Sequence, residues 1–211
     1  MTTKLHPVSI AILAALLCSC AVTSLKTTWK SPDYHGGPVQ KVAVLAVDER
    51  GMVRQIFEGQ FVTQLEKQGQ AAFKTQELLA LPAIKENKEA AAARLREAGA
   101  DSVLIVRLVD SATLASSVRQ TSRGYAPITT GYANFGWYDY YTVAFMDMDV
   151  IRNSLKQYVY LDTSLYELNT GTRLWSGLTQ TVLKDNTDRL EVVRPLVTKV
   201  LAAMRQDGLI R

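Results

Sequence analysis

The chain has 211 residues, with 24 Lys and Arg against 20 Asp and Glu, two cysteines and two histidines. A net charge of +4 spread along the whole length is too weak and too dispersed for a nucleic-acid footprint. The length suits one domain with some elaboration, and so few thiols and imidazoles leave little for a disulfide framework or a metal cluster.

The first residues read as a secretory signal. Lys4 supplies a positive start, and Val8 to Leu17 form an apolar run interrupted only by Ser9. That run is an h-region, since a membrane span needs about 20 apolar residues. It ends in Leu17-Cys18-Ser19-Cys20, an aliphatic residue three before a cysteine and a small one just before it. This resembles a bacterial lipobox, with Cys18 in its second position a mild departure. The expectation is a signal peptide over 1–19, cleavage before Cys20, and a diacylglycerol thioether with further acylation of palmitate type on Cys20. Two or more acyl chains anchor stably, each methylene contributing about 0.8 kcal/mol. Ala21 is not the Asp that would retain the protein at the inner membrane. By that sorting rule the lipid sits in the outer membrane and the body faces the periplasm. Cleavage removes Cys18 and acylation consumes Cys20, so no thiol remains for a disulfide, a metal or a nucleophile.

Residues 20–38 are rich in Thr, Ser, Pro and Gly and read as a lipid-anchored tether. Within it, Trp29 and Tyr34 of "WKSPDY" are expected to pack on the body. The mixed α/β domain is assigned to 39–211. "VQKVAVLAVD" (39–48) is apolar on both faces, as a central strand would be. From Met52 to Gln68, Val53, Ile56, Phe57, Phe61 and Leu65 follow helical spacing, with Gly69 placed to end the helix. Glu58 on that helix reads as a surface charge. "QAAFKT" is a short strand. Asn87 is placed to cap "KEAAAARLREAG", which Gly99 ends. "DSVLIVRLVDSATL" follows as a long strand. This β-α-β-α-β order implies crossover connections and a partly parallel sheet.

The second half changes period. Residues 142–152, 158–168 and 173–183 alternate as antiparallel strands, and "NTGT" (169–172) is a hairpin turn. Leu190, Val193, Val197, Val200, Leu201 and Met204 form the apolar stripe of a closing helix, with Pro195 kinking it or starting its second part. The fold class is therefore α/β (α+β): a single mixed sheet with antiparallel hairpins and a C-terminal helix packed on it.

This order resembles the α/β domain of the N-terminal part of TolB and of LpoB-like envelope lipoproteins. "WKSPDY", "GGPVQKVAVLAV", "IFEGQFVTQLEKQG", "REAGADSVLIVRLVD", "LYELNTGTRLWSG" and "KVLAAMRQDGLI" together resemble a family of proteobacterial outer-membrane lipoproteins over most of 29–211. The resemblance brings no catalytic signature, so it implies fold and location without an activity.

Candidate site residues are few. A loop at about 115–141 contains "GYAPITTGYANFGWYDYY", with Tyr125, Tyr132, Phe135, Trp137, Tyr138, Tyr140 and Tyr141. Such rings suit a partner-binding loop for an envelope protein, a glycan or lipid headgroups, or they cover their own sheet. Asp147 and Asp149 share a strand face and could serve a glycan hydrolase, although a solvated face has the same pattern. His35 lies alone in a Pro/Gly-rich stretch. No phosphate loop, zinc motif or nucleophile elbow is present. The composition points to a non-enzymatic binding or assembly module needing no cofactor or metal. A structural oligomeric envelope protein is the alternative, a carboxylate-dependent hydrolase a further one, and the oligomeric state is open.

Overall fold

The computed structural model describes residues 23–109, 158–182 and 192–211. In chain order these form β1 (Thr23–Lys30), β2 (Lys41–Val47), α1 (Gly51–Lys67), β3 (Ala71–Lys74), a 3-10 turn (Thr75–Glu77), α2 (Leu81–Glu86), α3 (Lys88–Glu97), β4 (Ser102–Val109), β5 (Tyr158–Glu167), β6 (Arg173–Val182) and α4 (Val193–Gln206). The strands make one sheet of order β1-β6-β5-β4-β2-β3. β2 runs parallel to β3 and β4, and the pairs β4–β5, β5–β6 and β6–β1 are antiparallel. The mixed sheet, its β-α-β-α-β start, its hairpin and its C-terminal helix match the fold read from the sequence.

β2 is central because its sequence leaves no polar face. Alternate residues go to opposite sides of the sheet. Val42, Val44 and Ala46 join Phe57, Phe61 and Leu65 of α1 and Val197 and Val200 of α4 on one face. Ala43, Leu45 and Val47 join Leu81 and Ile84 of α2 and Ala91 and Leu95 of α3 on the other. Burying a side chain of this class contributes about 1.5–3 kcal/mol. Trp175 of β6 is fully buried and donates its indole N–H to Asp207 Oδ2 at 2.7 Å, which fixes the end of α4 to the sheet.

The helix ends follow the chemistry of their sequences. Asn87 accepts a hydrogen bond from Ala90 N at 2.9 Å and so caps α3. Gly69, Gly99 and Gly208 lie at φ 77, 85 and 75, the left-handed geometry that lets the chain turn back on the last helical carbonyls. Pro195 sits in the first turn of α4, where its missing N–H costs no helical bond, so it starts the helix rather than kinking it.

Two departures from expectation have plain causes. The supposed tether contains β1, which pairs with β6 from Thr23 onward. Its sequence, TSLKTTWK, is too polar to read as a core strand, but it is an edge strand and its threonines are β-branched. Lys26, Thr28 and Lys30 are exposed, and a register shift falls between Leu25 and Thr27. The second departure is Glu58. It is completely buried rather than on the surface. The expected strand over 142–152 lies outside the described residues.

Candidate functional site

The parallel part of the sheet builds a cleft. β2 feeds α1 on one face, whereas β3 feeds α2 and α3 on the other. Adjacent strands whose connections leave to opposite faces open a crevice beyond their carboxyl ends, which is where ligands enter α/β sheets. Here the cleft has a volume of about 590 Å³. One wall is Asp48, Glu49, Gly51 and Arg54, and the other runs from Gln76 to Pro82.

A buried network sets the shape of this cleft. β3 pairs only with Lys41–Val44, so β2 runs on to Val47 beyond the end of that neighbour. Glu58 takes the place of the missing strand. Its Oε1 accepts from Ala46 N at 3.2 Å, from Arg54 Nε at 2.7 Å and from Thr75 Oγ1 at 3.1 Å. Its Oε2 accepts from Gln76 N at 2.8 Å. Arg54 also donates Nη2 to Thr75 Oγ1 at 2.9 Å. Main-chain donors left by the short strand are thus satisfied by one carboxylate.

At the rim, Asp48 Oδ1 accepts from Arg50 N and Nε, both at 2.9 Å, and Oδ2 accepts from Arg50 Nη2 at 2.6 Å. The hydrogen bond to Asp48 raises the pKa of Arg50 above its ordinary value, against a smaller opposing effect of burial. Lys74 and Glu77 pair at 2.6 Å across the second wall. The cleft therefore combines paired charges with an apolar wall of Leu78, Leu79, Leu81 and Pro82. Among the described residues, no serine, cysteine or histidine lines it, and no group of three His, Cys, Asp or Glu could hold a metal.

A second polar feature lies on the α2/α3 side of the sheet. Arg107 of β4 faces Asp162 of β5 in register, 3.3 Å apart, with both residues buried. Ser164 and Ser176 form a buried cross-strand pair further along the same face. Burial raises the pKa of the Tyr166 hydroxyl beside them well above its ordinary value. Arg173 lies over the Trp29 ring at 4.5 Å.

The expected packing of "WKSPDY" is observed. Trp29 and Tyr34 are half-buried, Ser31 N donates to Leu174 O at 2.9 Å, and the Tyr34 hydroxyl donates to Gly37 O at 2.6 Å. His35 is exposed at the opposite end of the sheet from the cleft. Cys20, Asp147, Asp149 and the seven aromatic residues from Tyr125 to Tyr141 lie outside the described residues. The strand ends that flank these segments are placed, however. β4 ends at Val109 and β5 begins at Tyr158, both on the cleft end, and β1 starts there at Thr23.

Neither the cleft nor the buried pairs were expected from the sequence. A signal for the first was present: Arg54, Glu58, Phe61 and Leu65 are all in helical phase, so two charges four apart shared the buried stripe. Arg107 inside the apolar run of β4 was the corresponding signal for the second.

No family model matches the chain, and no curated protein matches it. Solved structures give loose likenesses. The PelC dodecamer from Paraburkholderia phytofirmans is 11% identical with a TM-score of 0.48, covering 90% of this chain and 100% of that one. A single-substitution leucine-to-methionine variant of the same dodecamer is 14% identical with a TM-score of 0.44, covering 87% and 96%. Lipoprotein GNA1162 from Neisseria meningitidis is 13% identical with a TM-score of 0.37, covering 79% and 99%.

Proposed function

We propose that this chain is an outer-membrane lipoprotein whose α/β body faces the periplasm and works as a binding or assembly module for envelope components. The observation that supports this most directly is the lipobox ending at Cys20, followed after only two residues by the first strand of the sheet. An acylated Cys20 would hold the folded body directly at the bilayer. No helix of the described residues is long and apolar enough to cross a membrane, so in this reading attachment falls to the lipid. The Asp48 and Glu77 carboxylates of the cleft are tied to Arg50 and Lys74, which suits binding better than hydrolysis. The test is mass spectrometry of the mature protein together with fractionation of Cys20→Ser. A lipid-modified Cys20 and release of the variant from the outer-membrane fraction are expected. An unmodified soluble species as the major form would refute the reading.

The second reading is a structural oligomeric envelope protein. The dodecamer belongs to PelC, and self-assembly of this chain is decided by its own mass in solution. The sheet edges bear on how such an assembly would form. β3 has only four residues, and β1 carries exposed Lys26 and Lys30 and a register shift. Both devices oppose edge-to-edge pairing. Copies would therefore meet through helices or loops. Light scattering over a concentration series separates a discrete oligomer from a monomer.

A further inference from the structure

The end of the sheet that carries the cleft is a membrane-docking base: we infer that the carboxyl ends of β2, β3, β4 and β6 sit on the phospholipid surface that holds the Cys20 anchor. This rests on the lipoprotein reading above and adds an orientation to it.

The strand directions define the two ends. β2, β3 and β4 are parallel, and β6 shares their direction because it is twice reversed from β4 through β5. β1 is antiparallel to β6, so its first residue lies at their carboxyl end, with Thr23 opposite Thr181. Cys20 is three residues before Thr23. Even fully extended, three residues reach only about 10 Å. The acylated residue is therefore bound to this end of the body. The far end is about 25 Å or more away along strands of eight to ten residues, at about 3.3 Å each.

An independent observation selects the same end. Among the described residues, the exposed large apolar side chains are Met52, Leu78 and Val182, at 73%, 42% and 37% of full exposure. Met52 follows β2 in the first turn of α1, Leu78 follows β3, and Val182 is the last residue of β6. All three are at the end where β1 begins. They are also spread across the sheet. β6 and β3 are separated by β5, β4 and β2, which is about 19 Å at 4.8 Å per strand. Three apolar contacts over that width form a base, where a single patch would act as a pivot. Side chains of this kind insert among lipid headgroups and acyl boundaries. Both ends expose polar groups, Glu49, Arg50 and Glu77 at the cleft end and Asn169, Thr170, His35 and Gln40 at the opposite end, but among the described residues the opposite end exposes no large apolar side chain. A body lying on its β1 edge would present Lys26, Thr28 and Lys30, again without an apolar contact. The docked orientation turns the cleft beyond β2 and β3 toward the bilayer surface.

The experiment uses the lipidated protein in vesicles of phosphatidylethanolamine and phosphatidylglycerol. With Cys18 removed and Cys20 acylated, an introduced cysteine is the sole thiol. M52C, L78C, V182C, K26C and N169C are each labelled with an environment-sensitive fluorophore, and nitroxide-bearing lipid is the quencher. Labels at 52, 78 and 182 should shift to the blue and lose most of their emission, while the label at 169 keeps it. Quenching strongest at 26 would mean the body lies on its edge, and would overturn the proposal. Equal quenching at all five sites would mean an untethered orientation, and no quenching at 52, 78 and 182 would mean those side chains serve a protein partner or a second copy. Either result also overturns it. Intact mass of the same sample separates the two levels: an unacylated Cys20 refutes the lipoprotein reading itself, whereas an acylated Cys20 with the wrong quenching pattern refutes only the orientation.

Discussion

Replacing Glu58 with Ala should be among the most damaging single changes in this molecule. Glu58 is wholly buried and its partner Arg54 is 5% exposed at the side chain. Removing the carboxylate leaves the guanidinium buried without its counter-charge, and breaking such a pair from one side costs about 3–5 kcal/mol. Ala46 N and Gln76 N lose their acceptor as well, and each unsatisfied buried group costs about 1–3 kcal/mol. These effects share one site and are not additive, so about 3–5 kcal/mol is the expected total. That is a large part of the roughly 5–15 kcal/mol typical of a domain. Urea unfolding of the Cys20→Ser body, followed by tryptophan fluorescence, measures it. The double variant Arg54→Met, Glu58→Leu provides the internal check. It removes both charges and should be less destabilised than Glu58→Ala alone. A Glu58→Ala midpoint corresponding to a loss of less than about 1 kcal/mol would refute the burial argument, since surface substitutions usually fall within about 0.5 kcal/mol. A double variant less stable than the single one would refute the assignment of the cost to the orphaned guanidinium.

Three further changes probe other links. In Gly177→Ala the new methyl carbon would collide with the Trp175 ring at Cη2, so the ring or the strand must shift. Overpacking of this kind costs about 1–3 kcal/mol, and an unchanged melting temperature and near-ultraviolet spectrum would contradict it. Asn87→Ala removes the cap of α3 and should cost about 1 kcal/mol, measured by thermal unfolding, with Asn87→Asp restoring most of it. Asp207→Ala removes the acceptor of the buried Trp175 indole N–H. It should lower stability by about 1–3 kcal/mol, and Trp175→Phe in the same background should cost less than it does alone.

Elements whose sequence pattern follows from their own packing were legible. β2 is apolar throughout because both its faces are covered. α1, α3 and α4 carry apolar stripes that meet the sheet, and their ends are marked by Asn87, Gly69, Gly99 and Gly208. The hairpin between β5 and β6 turns at Gly171, at φ 72, as its NTGT sequence implied. What was hidden depends on neighbours distant in sequence. β1 is polar because one of its edges meets water, and only β6, far later in the chain, makes it a strand. Glu58 looks like a surface charge until the short length of β3 is known. That length is set by the 3-10 turn that begins at Thr75, and no local pattern announces that Ala46 N will need an acceptor from α1. Arg107 and Asp162 are each odd within an apolar strand, and the oddity resolves only when the register places them face to face.

The two ends of the sheet are built for different work. At the amino end of the parallel strands, long-range hydrogen bonds are dense. Asp101 accepts from Gln40 N at 2.6 Å and Lys41 N at 3.1 Å, and its own carbonyl accepts from Leu168 N at 2.9 Å. The buried Gln70 donates to Val39 O and Gln40 O and accepts from Arg211 N. Lys30 Nζ reaches Asp207 O at 2.7 Å, and Val39 N reaches Leu209 O at 3.0 Å. These contacts join the C-terminus, the loop after β1 and the starts of β2 and β4 into one brace. At the carboxyl end the bonds centre on Glu58, which ties Ala46 N, Arg54, Thr75 and Gln76 N together, with the Thr23 and Thr181 hydroxyls paired at 2.9 Å. This end has a cleft whose walls are set from below by Glu58, the exposed Met52, Leu78 and Val182, and the ends of β4 and β6 at Val109 and Val182. A braced end opposite a cleft is how an α/β scaffold holds a site steady. In the proposed lipoprotein, an anchor on Cys20, three residues before Thr23, would set the cleft end at the membrane.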